Sequence, residues 1–209
     1  MLEGLDTIDW SSLTHAHDPA MDVPELLRSL LSEDADLWMQ ACAELHETIW
    51  HQGTVFPASA AAIPFLFELL THPDVHDSGC PISPSGCAVS LLCAIATGEG
   101  VLQYGIRADG EQRLRTRLAR QGRSLEEALE EERAMMEAIR RGVSAGLRHL
   151  LPYLGDPAPD LRAAVADALG NFPEHGSWLL PAIDAVLASE SDQHVRQVLA
   201  ETKARLTNG

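Results

Sequence analysis

A helix end, an acidic turn and a second helix that opens on a short apolar motif recur along this chain. The stretches 26-LLRSLLSEDADLW-38, 150-LLPYLGDPAPDLR-162 and 185-AVLASESDQHVR-196 share the scheme, and Leu161-Arg162 and Val195-Arg196 stand 34 residues apart. A period of this length is the signature of stacked helix pairs. Each pair buries its apolar face only against its neighbours, which sets a linear architecture rather than a closed bundle.

The helices themselves are written in the usual signals. Asp22 is an N-cap candidate with Pro24 in the first turn, opening DVPELLRSLL. In the next segment Leu37, Ala41, Leu45 and Ile49 recur every fourth residue, flanked by Trp38 and Cys42, as an amphipathic helix requires. Gly53 suits the end of that helix, and Pro57 opens another with Ile63, Leu66, Phe67 and Leu70 as its stripe. A loop over 72–85 precedes a helix over about 86–97. Residues 98–123 are rich in Gly and Arg, with a weak Leu114/Leu118 stripe over 110–121. Ser124 and Glu127 have capping-box spacing ahead of a charged helix to about 141. Helical segments over 143–155, 160–172, 178–188 and 192–206 complete the chain, and no strand is predicted. The expected organisation is a cap over 1–21, two helix pairs over 22–97, an irregular insert over 98–140 and two further pairs over 141–209, in one all-α domain.

The segment 146-GLRHLLPYLGDPAPDLRAAVADALGNF-172 resembles a HEAT repeat. Asp156, Pro157, Leu161, Arg162, Ala164, Ala168 and Leu169 stand where that family has its turn and the opening of its second helix. The resemblance extends more loosely over 22–97 and 143–206. In the first pair Trp38 occupies the place of the repeat arginine. The segments 8-IDW-10 and 51-HQGTVF-56 are also similar to those of small bacterial HEAT-repeat proteins. The resemblance implies a right-handed α-solenoid of about four pairs. Its concave side would be lined by 36–50, 86–97, 160–170 and 192–206. It further implies protein or nucleic-acid binding there, with some relatives serving as immunity partners of bacterial toxins.

Charge narrows the choice. Net charge is −16, and residues 1–98 hold fourteen acids against one base, Arg28, whereas residues 99–209 hold seventeen acids and fourteen bases. Such a first half repels nucleic acid and steers a basic protein toward it. Arg107, Arg113, Arg115, Arg117, Arg120 and Arg123 crowd one stretch, but the glutamates that follow are expected to neutralise them. No run reaches the roughly 18 apolar residues of a membrane span. The start, MLEGLDTIDW, has no base and does not fit a targeting peptide, so a cytoplasmic protein is expected. There a disulfide is not expected. Cys42 and Cys93 fit apolar helix faces, and the spacing of Cys80 and Cys87 matches no common zinc motif.

The stretch 45-LHETIWHQGTVFPAS-59 comes close to the zinc-peptidase pattern H-E-x-x-H. Each helical residue turns by about 100°, so His46 and His51, five apart, diverge by about 140°. No metal is expected between them. Nor is one expected from His15, His17, Asp18 and Asp22, which read as a capped N-terminal loop under Trp10 and Leu13. No catalytic motif or cofactor signature is present. The leading expectation is therefore a binding module for a basic protein, with Trp38, Glu44, His46, Glu47, Trp50, His51 and Gln52 as partner-binding residues. The alternative is an enzyme or small-ligand binder whose groove lies near Trp38, His46, Trp50 and His51.

Overall fold

A computed structural model describes residues 2–17, 19–71 and 83–208. Asp18, Cys80 and most of the predicted 72–85 loop lie outside these residues. Among the described residues there are ten α-helices: α1 (Val23–Ser29), α2 (Ala35–Thr48), α3 (Pro57–Thr71), α4 (Pro84–Thr97), α5 (Val101–Asp109), α6 (Glu111–Arg120), α7 (Leu125–Gly146), α8 (Pro159–Leu169), α9 (Gly176–Ser189) and α10 (Gln193–Asn208). The chain is thus predominantly helical, as expected.

Local chemistry accounts for several boundaries. The Asp34 carboxylate accepts the Asp36 N–H at 3.0 Å and starts α2, and Ser124 Oγ accepts the Glu127 N–H at 3.1 Å and starts α7. Asp22 precedes α1 but makes no side-chain cap, because its carboxylate is turned to His15 instead. The expected boundary near 140 falls inside α7, which runs unbroken from the insert into the third pair. The chain then continues in two 3₁₀ turns, 147–149 and 151–155, within the segment 143–155 predicted as helical.

A small sheet corrects the expectation of no strands. β1 (Trp50–His51) pairs antiparallel with β2 (Thr54–Val55), and β3 (Glu99–Gly100) pairs parallel with β2. Gln52 and Gly53 both have positive φ, 49° and 88°, as a two-residue type I′ hairpin demands. Gly53 is therefore the tip of a hairpin, and α2 ends earlier, at Thr48. A Cβ at Gly98 would collide with Val55, so the close approach of β3 to β2 requires glycine there.

Helices α2, α4, α8 and α10 pack side by side in that order. Each also packs on the element before it in the chain: α1 on α2, α3 on α4, the 151–155 turn on α8, and α9 on α10. One apolar core runs from Leu2 and Trp10 through Leu45, Leu66, Leu92 and Leu169 to Leu206. Trp10 closes its N-terminal end, with its indole N–H donating to the Leu5 carbonyl at 2.9 Å. The insert has its own small cluster of Leu114, Leu118, Leu125 and Ala128. Glu132 of α7 ties it down by accepting the N–H groups of Leu102 (2.6 Å) and Gln103 (3.1 Å) at the start of α5. That carboxylate fills the space a Cβ on Gly100 would need.

Candidate functional site

Along the α2–α4–α8–α10 face lies a groove. Its larger part, about 440 Å³, is lined by Cys42, His46, Ser90, Asp156, Asp160 and Leu161 among others. A smaller neighbouring part, about 250 Å³, shares His46 and Ser90 and adds Trp50 and Asp167. A third hollow continues between α8 and α10 past Asp160, Asp167 and His194. These hollows are lined mainly by residues of α2, α4, α8 and α10.

Within it His46 Nε2 lies 3.3 Å from Ser90 Oγ, and the His46 ring meets the Trp50 ring edge-on at 6.1 Å. Burial holds the His46 imidazole below its ordinary pKa, opposed by the nearby Glu47 carboxylate, so it is neutral at neutral pH. Cys42 of α2 and Cys87 of α4 form a disulfide in the wall of the groove, which corrects the expectation of free thiols. Cys93 is free and buried, and that burial pushes its thiol far up, out of reach of deprotonation.

The predicted site residues do not converge on one place. His46 and Trp50 line the groove. Trp38 is only 1 % exposed and offers no face to a partner, so it is a packing residue. Glu44 is exposed on α2 and accepts from Gln40 Nε2 at 2.7 Å; Gln52 is exposed at the hairpin tip. His51 stands in β1, beyond the end of α2, so the helical spacing to His46 does not apply to it; with Glu47 it meets a residue from the N-terminal loop. The ligand atoms of His17, Glu47 and His51 all lie within 4.8 Å of one another. His17 comes from one histidine stretch and Glu47 and His51 from the other. The fold assembles one candidate set across them, contrary to the expectation of none.

Three of the six arginines of the insert that were expected to be neutralised are ion-paired among the described residues. Arg107 pairs with Glu99, Arg115 with Glu111 and Glu126, and Arg123 with Glu131, while Arg113, Arg117 and Arg120 have no ion pair among the described residues. Among those residues no helix is long and apolar enough to cross a membrane.

Sequence reasoning missed Ser90, Asp160 and Asp167. The 34-residue offset places Asp160-Leu161-Arg162 at the start of a groove-lining helix, and that was the available signal for Asp160. Ser90 carried none, because its role depends on α4 lying beside His46. No known family model matches this chain, and no curated protein matches it.

Proposed function

We propose that this protein is a HEAT-like binding module whose groove along α2, α4, α8 and α10 receives a basic protein. The stacking of those four helices, each backed by the element before it, supports the solenoid reading. The carrying observation is the charge left over in the first half. Arg28 engages Asp6 and Glu25 there, and Glu3, Asp9, Glu33 and Asp36 have no ion pair among the described residues. Acids without internal partners raise the negative potential that draws in and orients a basic surface. An immunity protein that neutralises a basic bacterial toxin in the cytoplasm is the specific form this reading takes.

The test uses the full chain as bait in its native host, followed by association kinetics with the recovered protein at rising ionic strength. A basic partner whose association slows with salt supports the reading. An acidic partner, or a salt-independent rate, overturns it. The location is tested separately by thiol trapping in cells: in a reducing cytoplasm Cys42 and Cys87 are recovered as thiols.

A second reading, a small-ligand site, draws on one observation: His46 and Ser90 face a hollow of about 440 Å³, a size that suits a small molecule. It predicts a ligand whose affinity falls in both His46→Gln and Ser90→Ala. Trp38 and His51, which this reading also expected at the groove, are not among the residues lining either of its two parts.

A further inference from the structure

The N-terminal loop is fixed onto the end of α2 by its backbone. The Ala16 N–H donates to the Thr48 carbonyl at 3.0 Å, and the Ala58 N–H donates to the Thr14 carbonyl at 3.2 Å. His15, buried beneath the loop, accepts the His17 N–H on Nδ1 at 3.1 Å. The proton of that imidazole is then on Nε2, which donates to Asp22 Oδ1 at 2.9 Å. These bonds hold His17 near the C-terminus of α2, where Glu47 of its last turn and His51 of β1 lie side by side.

We propose that His17, Glu47 and His51 form a binding site for a divalent transition-metal ion of the zinc class. Two imidazoles and one carboxylate are a ligand set that Zn²⁺ accepts, with the remaining position left to water or another ligand. The Glu47–His51 half has the required spacing. His51 Nδ1 lies 3.2 Å from Glu47 Oε2, and two ligands of a tetrahedral ion with bonds near 2.0–2.1 Å stand about 3.3–3.4 Å apart. Apart from this approach to Glu47, that buried nitrogen has no hydrogen-bond partner among the described residues. The His17 ring stands edge-on to the His51 ring with centroids 5.3 Å apart. Because His17 and Glu47 are exposed, side-chain rotation is enough to close the set around an ion. Bound metal would join the N-terminal cap to the end of the first helix pair. The site lies outside the groove and is independent of the partner-binding proposal.

The test is titration of the full chain with Zn²⁺ against a chromophoric chelator. One equivalent is expected to bind, and His17→Gln, Glu47→Gln and His51→Gln are each expected to weaken it by about tenfold or more. The exposed His149→Gln is expected to leave the affinity unchanged. Imidazole NMR of the unmodified chain provides the second readout: the resonances of His17 and His51 move first on adding Zn²⁺. Absence of stoichiometric binding, equal binding by the three variants, or first movement of other histidines overturns the proposal.

Discussion

The fourth residue of the helix is filled in two ways in α2 and in α8. In the α8 pair it is Arg162, whose guanidinium grips Glu190 through two bonds of 2.8 and 2.9 Å and also donates to the Asp156 carbonyl at 2.8 Å. In the α2 pair it is Trp38, buried and apolar. The difference extends to the surroundings. The last pairs add Arg205–Asp167, Lys203–Asp184 and Arg140–Glu174. The first pairs, with a single base in 98 residues, are held by apolar packing, to which the Cys42–Cys87 disulfide adds where it is formed. The back of the molecule thus ties its elements together through arginine–carboxylate pairs that the front, with Arg28 as its single base, has little means to make.

Breaking each end should show this contrast. Trp38→Ala should have the largest effect, a loss of about 3–5 kcal/mol in denaturant unfolding, because it empties a fully buried indole site. Reducing Cys42–Cys87, which spans 45 residues, should cost about 2–4 kcal/mol, read as a shift of the midpoint with and without reductant. At the back, Arg162→Ala should lower the thermal midpoint by about 2–4 °C.

The two ends should also separate by pH. The Arg162 guanidinium, helped by the Asp192 N–H, pulls the Glu190 carboxyl down to about 2 from an ordinary 4.5. Between those values the unfolded chain binds more protons, so this stabilisation is whole above pH 4.5 and is lost as pH falls through about 2. Glu190→Gln should flatten that part of the acid titration of stability. His46 has the smallest expected effect. Its folded pKa lies below 6.5, so stability is complete above that pH and declines as pH falls beneath it, and His46→Gln should remove the decline.

Helix content was readable from the sequence because caps and apolar periods are local. α1–α4 and α6–α10 lie close to the predicted segments. α5 was missed because Gly100 and Gly105 mask its pattern, and its start depends on Glu132, thirty residues away. The hairpin was missed because Gln52-Gly53 serves equally well as a helix end or a type I′ turn, and pairing with β3 decides between them. In the candidate site, the helical divergence expected of His46 and His51 did not apply, because α2 ends at Thr48 and His51 lies in β1. The meeting of His17 with His51 was not readable either, since it depends on a backbone bond from Ala16 to Thr48.

That the spare acids of the front half recognise a basic protein is tested most directly by one rate. The association rate with the native partner should fall steeply as ionic strength rises, and should fall less steeply after Glu33→Gln and Asp36→Asn are combined. A rate indifferent to salt, or a salt dependence unchanged by removing those charges, would contradict it.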